Sequence, residues 1–517
     1  MTDLPILDII IIAVYLLTMV VIGFYFSRKN KNAEQFTIAS GKIPGWAIGL
    51  SIYATFLSSN TFLGVPGKAF GGNWNYFVFS LSMPLAAWAA SKYFVPFYRR
   101  TGDVSAYSNL EKRFGPWART YAVICFLFTQ FARMGSIFFG MALSLQALTG
   151  FSMASIMIVM GICIILYTVL GGMEAVIWTE VVQGIIKTLG AILILYLIIR
   201  EIPGGAKEII EIAKADNKLS LGSSSFNFTE STFWMVLVYG FFINLNNFGM
   251  DQNYVQRYHT ASSSKQASRS VWLCVAMYVP ASLLFFIIGT ALFAYYHIHP
   301  EMIEPVKLQV ASERLGNAAT SQQILGLAGS LRPDDYGDKV LPHFMVTKIP
   351  TGVVGLIVSA ILSAAMSTIS SGMNASATVF TADIFKKYIN PLSDDKKYLR
   401  VLRIATVLFG LAGLATGLAM IGSKSILDTW WELSGIFAGG MLGLFLLGLI
   451  SRQTRNHEAL TAVLIGVIVI LWMTLSDRLP AKYDFLKNPL HKNMVIVVGT
   501  LTIFLSGLLL TYGKRNK

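Results

Sequence analysis

Residues 358–376 place Ser363, Ser367, Thr368, Ser370, Ser371 and Ser376 inside an apolar run long enough to cross a bilayer. Read as a helix, positions 367, 370, 371 and 374 fall along one face, with 364 and 368 beside it. Hydrocarbon cannot satisfy hydroxyls, so that face must meet other helices, water, or a hard cation that takes oxygen ligands. Close packing through small residues and a sodium site both fit, and the second needs a partner element.

Residues 44–70 offer that partner. Thr55, Ser58, Ser59, Asn60 and Thr61 crowd the middle of the run, and Gly64, Pro66 and Gly67 follow, which disfavours an unbroken helix. A break frees carbonyls near Ala54 and Leu57. Freed carbonyls facing hydroxyls from another span are how secondary transporters hold sodium at the bilayer midplane; a weakened but merely structural helix is the plainer alternative. Residues 231–256 show a similar interruption, with Asn244, Asn246, Asn247 and Gly249 in mid-span. Two interrupted spans about five helices apart point to an inverted repeat with its site between them.

The rest of the chain must position these elements in lipid. Of 517 residues, 54% are hydrophobic and only 13% charged, where soluble domains carry roughly 25% charged residues. Thirteen apolar segments near spanning length are expected: 6–26, 44–70, 73–98, 116–149, 152–171, 174–199, 231–256, 270–298, 342–382, 401–422, 426–450, 458–476 and 493–513. The first lacks a basic leader and a cleavage pattern, so it reads as a retained helix. The division is one membrane domain: a leading helix at 6–26, a first repeat at 44–199, a second at 231–450, and two trailing helices at 458–513.

The formal charge of +14 is spread over short loops, which argues for topology signals and anionic lipid contacts rather than nucleic acid. Loops expected on one side carry Arg28, Lys29 and Lys31, Arg99 and Arg100, Arg257, Lys265 and Arg269, Lys386 and Lys387, Arg452 and Arg455, and Lys514, Arg515 and Lys517. That side reads as cytoplasmic, putting the N-terminus outside and the C-terminus inside, in a multi-pass protein of the cell (inner) membrane. Opposite loops such as 422–426 carry little charge. Cys125, Cys163 and Cys274 lie in apolar runs without paired spacing, so neither disulfide nor zinc is expected. No HExxH motif exists and the six histidines lie in loops or near span ends, which argues against an enzyme. A channel would need a filter loop or an arginine array, and a solute-sensing receptor remains the other alternative.

Four stretches together resemble the solute:sodium symporter family, the group with sodium/galactose, proline and sialic acid symporters: ATFLSSNT at 54–61, GGMEAVIWTE at 171–180, DQNYVQRY at 251–258 and STISSGMN at 367–374. The resemblance implies an all-α LeuT-type fold, a 5+5 inverted repeat with about thirteen helices, and sodium-coupled symport of a small solute. It also implies a main sodium site from the carbonyls of Ala54, Leu57 and Ala364 and the hydroxyls of Ser367 and Thr368. A second cation position would map onto Ser367, Ser370, Ser371 and Glu180, where many relatives have aspartate. Lys187 stands where an apolar residue is expected, and three readings are open: a partner for Glu180, a tethered cation replacing the second sodium or coupling protons, or a snorkelling side chain.

Arg133 lies in the middle of 116–149, where a charge is expensive and by default functional, and a guanidinium matches a carboxylate. A structural pair with an acid on another helix is the alternative. In the sialic acid branch the resemblance places Arg133 on the solute carboxylate and Ser58 and Thr61 on solute hydroxyls. Tyr76 matches a pocket aromatic, Phe56 replaces a threonine and Ser80 a glutamine. Asn244 matches a sugar contact of the galactose branch, whose inner-gate aromatics are replaced by Asn247 and Phe248, and Trp431 stands for one of its polar groups. The expected solute therefore bears a carboxylate, sialic acid first, with a neutral sugar or polyol as the alternative. Its partners are that solute, sodium and the bilayer.

Overall fold

A computed structural model describes residues 5–28, 31–316, 319–421, 426–476 and 479–513, without the side chains at 147, 426–434, 481 and 513. Lys29, Lys514, Arg515, Lys517, most of the 422–426 loop and the Trp431 side chain therefore lie outside the description. Every named element is helical. Nine helices among the described residues are long and apolar enough to cross a bilayer, and a tenth span arises if one bent pair is counted as one.

One of the nine, Met153–Arg200, has 48 residues, about 72 Å of helix against an apolar core of about 30 Å. It is two crossings. Gly172 divides it, with φ 55° and ψ −161°, a conformation that side chains with a Cβ resist, and this places the joint between the expected segments 152–171 and 174–199. The expected third span, 73–98, is instead a run of short pieces from Trp74 to Thr101, including a π turn at Ala90–Phe94. The expected eleventh matches the helix Ile426–Ile450.

Large apolar side chains such as Val14, Leu17, Leu166, Leu189, Ile192 and Ile468 are exposed, an arrangement that suits contact with acyl chains. The helix Val353–Val379, the serine helix, is the opposite extreme. In the span it belongs to, 83% of the most apolar window is buried, against 22% for Ile6–Ser27. Small residues allow this: a Cβ on Gly190 of the long helix would lie 2.3 Å from the Cβ of Ala360. The long helix and the serine helix thus touch closely one turn beyond Lys187.

The bent pair is Gly45–Phe56 and Ser59–Gly71, inclined by 56°. Leu57 (φ −89°, ψ 88°) and Ser58 (φ −97°, ψ 177°) form the joint, inside the polar cluster and three residues after Ala54, where the sequence predicts it. The second interrupted span differs from expectation. Phe233–Met250 runs as a helix through Asn244, Asn246, Asn247 and Gly249, and the break comes at Asp251 (φ −74°, ψ 116°), before Gln252–Thr260. Asparagines on a helix flank can donate sideways to neighbours, so their crowding marks polar packing here rather than unwinding.

Candidate functional site

A broken helix strands carbonyls, and three near the Leu57 joint, those of Ala54, Thr55 and Leu57, find side chains. Ala54 O accepts from Ser367 Oγ at 3.1 Å, and Thr55 O accepts from Thr368 Oγ1 at 3.1 Å and from Arg133 at 3.2 Å. The same two hydroxyls lie 3.3 and 3.4 Å from Ala364 O. Oxygens of Ala54, Ala364, Ser367 and Thr368 therefore do converge. Leu57 O joins them through Lys187, whose Nζ lies 2.7 Å from Leu57 O, 2.6 Å from Ala54 O and 2.9 Å from Ser367 Oγ.

This corrects two of the readings of Lys187. It neither snorkels, being buried, nor pairs with Glu180; the tethered-cation reading remains, at the main position rather than the second. Glu180 is taken by Arg257, whose Nη2 lies 2.8 and 2.7 Å from the two carboxylate oxygens. Arg257 also donates to Ser51 Oγ at 2.8 Å, Thr55 Oγ1 at 3.1 Å and Ser371 Oγ at 2.5 Å. Ser51 and Ser371 in turn donate to Glu180. Arg257 is thus no cytoplasmic loop charge but a fully buried side chain, and its guanidinium stands among Glu180 and Ser371 where a second cation was expected. Ser370 donates to its own backbone, to Ser367 O at 3.3 Å, and Ser363 likewise to Ser359 O at 2.8 Å.

Beside the joint, toward the Ser59–Gly71 half, a cavity of about 100 Å³ is lined by Phe56, Ser58, Thr61, Tyr76, Ser80, Arg133 and Asn247. Seven of the nine expected solute contacts meet there. Asn244 and Phe248 do not: Asn244 Nδ2 donates to Ser82 Oγ at 3.1 Å, and the buried Phe248 ring packs 5.5 Å from that of Phe56. Phe56 itself stacks on Tyr254 at 4.5 Å.

Arg133 has the acid partner that the alternative reading required, Asp251 at 3.2 Å, and also donates to Tyr254 Oη at 2.9 Å. Sequence reasoning missed Asp251, Tyr254 and Arg257 as site residues. Their spacing of three along the buried helix Gln252–Thr260 and its cap puts them on one face, and that was the available signal. It also missed Asn60 and Lys68, which line the cavity. Asn60 Nδ2 donates to Ser136 Oγ at 2.9 Å, while its Oδ1 has no partner among the described residues.

Comparisons with known proteins place the chain as a whole. A family model described as the Sodium:solute symporter family matches residues 36–466. The chain is 32% identical to the sodium/sialic acid symporter NanT of Aliivibrio fischeri, over 96% of this chain and 92% of that one. It is 30% identical to the sodium/sialic acid symporter SiaT of Proteus mirabilis, over 94% and 93%. A solved outward-open, substrate-bound structure of a Na+-coupled sialic acid symporter superposes with a TM-score of 0.84 at 27% identity, covering 98% of this chain and 97% of that chain.

Proposed function

Because the chain belongs to the sodium:solute symporter family, a multi-pass membrane transporter of LeuT-type fold and not an enzyme, we propose that it imports an anionic, hydroxyl-bearing sugar acid of the sialic acid kind. The observation that carries this reading is the cavity wall: it holds two cations, Arg133 and Lys68, and no carboxylate among its lining residues. Asp251 holds Arg133 at 3.2 Å from outside the lining, so an incoming carboxylate would take over part of that guanidinium, and a wall of this kind favours an anion over a cation. Ser58, Thr61, Ser80 and the Oδ1 of Asn60 are short polar groups suited to solute hydroxyls, and Phe56 and Tyr76 offer ring faces. The names of the 32% and 30% identical relatives support the same solute.

At about 100 Å³ the cavity is smaller than the 300–1,000 Å³ usual for small-molecule sites, so the helices must part to admit the solute. Sodium held by the oxygens of Ala54, Leu57, Ala364, Ser367 and Thr368 would bridge the first broken span to the serine helix, and solute binding would draw on that bridge. We assign one sodium. The Glu180, Ser370 and Ser371 position receives none in this reading, because Arg257 already supplies its positive charge. The two halves are residues 44–199 and 231–450, with 6–26 leading and 458–513 trailing. Loop charge puts the N-terminus outside and the C-terminus in the cytoplasm of a bacterial-type inner membrane.

One sodium and one carboxylate carry opposite charges, so the membrane potential, which acts at about 2.3 kcal/mol per charge per 100 mV, cancels from the coupled step. The test is uptake of radiolabelled sialic acid into proteoliposomes. An inward sodium gradient should drive accumulation, and an imposed potassium diffusion potential should leave it unchanged. Uptake indifferent to sodium, or no uptake of any carboxylate sugar beside good uptake of a neutral one, would overturn the assignment.

A further inference from the structure

An ammonium has three hydrogens, and all three of those on Lys187 are used on oxygens: Ala54 O at 2.6 Å, Leu57 O at 2.7 Å and Ser367 Oγ at 2.9 Å. Two of these are carbonyls released by the break in the first broken span. The third belongs to the serine helix. They are also three of the five oxygens assigned above to sodium, a reading on which this inference rests. Lys187 is fully buried, and Gly190, one turn on, lets the long helix approach the serine helix closely enough for its stem to reach.

The site cannot hold both cations. A second unit charge within a few ångströms is strongly repelled in a dry interior, and the carbonyl lone pairs that face the ammonium are the ones sodium would use. We propose that Lys187 is a tethered cation that competes with sodium for the oxygens of Ala54, Leu57 and Ser367. With no sodium bound, the ammonium satisfies carbonyls that would otherwise be stranded in hydrocarbon, and it clasps the long helix, the first broken span and the serine helix together. Sodium entry drives it back along its own helix, on the face that carries Glu180 two turns earlier; sodium release lets it return. The ion-free carrier then has a built-in counter-cation for the step that resets it.

Tethering gives the ammonium a high effective concentration, so it should weaken apparent sodium affinity by about tenfold or more. Sodium titration of the purified full-length protein, read as a shift in thermal unfolding without solute, tests this. Lys187→Met should half-saturate at no more than a tenth of the wild-type sodium concentration, and adding Ser367→Ala should reverse the gain. Without sodium, Lys187→Met should unfold at lower temperature than wild type, and sodium should close the gap. Lys187→Gln serves if the Met variant is poorly folded. Equal or weaker sodium binding in the neutral variants overturns the proposal. So does failure of both to fold even at high sodium, since the ion should replace the ammonium. No solute is present, so a wrong solute assignment leaves this result unaffected.

Discussion

Two arginines reach Thr55, Arg133 at its carbonyl and Arg257 at its hydroxyl, and they differ in what surrounds them. Arg257 and Glu180 are both fully buried, 2.7 Å apart, with Ser51, Thr55 and Ser371 closing the ring. Arg133, at the cavity wall, stands 3.2 Å from Asp251, which is not among the lining residues; their side chains are 11% and 7% exposed. An enclosed guanidinium with every neighbour committed fixes helices in place. One with longer contacts at a cavity can exchange a partner for an incoming carboxylate. The difference teaches that charge within the membrane is not itself the mark of a solute site; access is.

The strongest way to break that comparison is Glu180→Ala. It leaves Arg257 buried and uncompensated, which typically costs 3–5 kcal/mol, so little folded protein should be recovered, measured by monodispersity and thermal unfolding. Glu180→Ala with Arg257→Met, which removes both charges, should recover much of the loss. If Glu180→Ala alone unfolds like wild type, the enclosed pair is not architectural.

The next effect is on transport. Arg133→Ala should lower kcat/KM for a carboxylate sugar by about 100-fold, near 2.7 kcal/mol at 1.36 kcal/mol per factor of ten. Stability should fall only modestly, and combining it with Asp251→Asn should restore the unfolding temperature without restoring uptake. Arg133→Lys keeps the charge but loses the two-pronged geometry and should fall between. Normal uptake by Arg133→Ala would move Arg133 into the architectural class beside Arg257.

Much of this was legible in the sequence because lipid narrows the choices. Long apolar runs fixed most spans, and hydroxyls or a Gly/Pro cluster inside such runs marked the serine helix and the joint at Leu57. The convergence of Ala54, Ala364, Ser367 and Thr368 followed from the family resemblance and stands in the geometry. Which cation meets which acid was not legible. Glu180 and Lys187 share a helix face two turns apart and invite pairing, whereas Arg257 reaches Glu180 from 77 residues away and only after the chain turns at Asp251. The asparagine-rich stretch 244–249 misplaced the second break because side-chain amides signal both unwinding and sideways hydrogen bonding.

The same contrast between wall and enclosure recurs without charge in that stretch, where Asn244 and Asn247 lie three residues apart on one helix. Asn247 lines the cavity, and Asn244 instead donates to Ser82 Oγ at 3.1 Å and Phe79 O at 3.4 Å. A neutral hydrogen bond contributes about 0.5–1.5 kcal/mol, so Asn247→Ala should raise the KM for uptake by roughly two- to tenfold and leave thermal unfolding near wild type. Asn244→Ala should do the reverse, lowering the unfolding temperature while KM holds, because it unties the second broken span from Ser82 and touches no solute. A KM rise in Asn244→Ala equal to that in Asn247→Ala would mean that access to the cavity does not sort these side chains, and the distinction drawn from the arginines would fail with it.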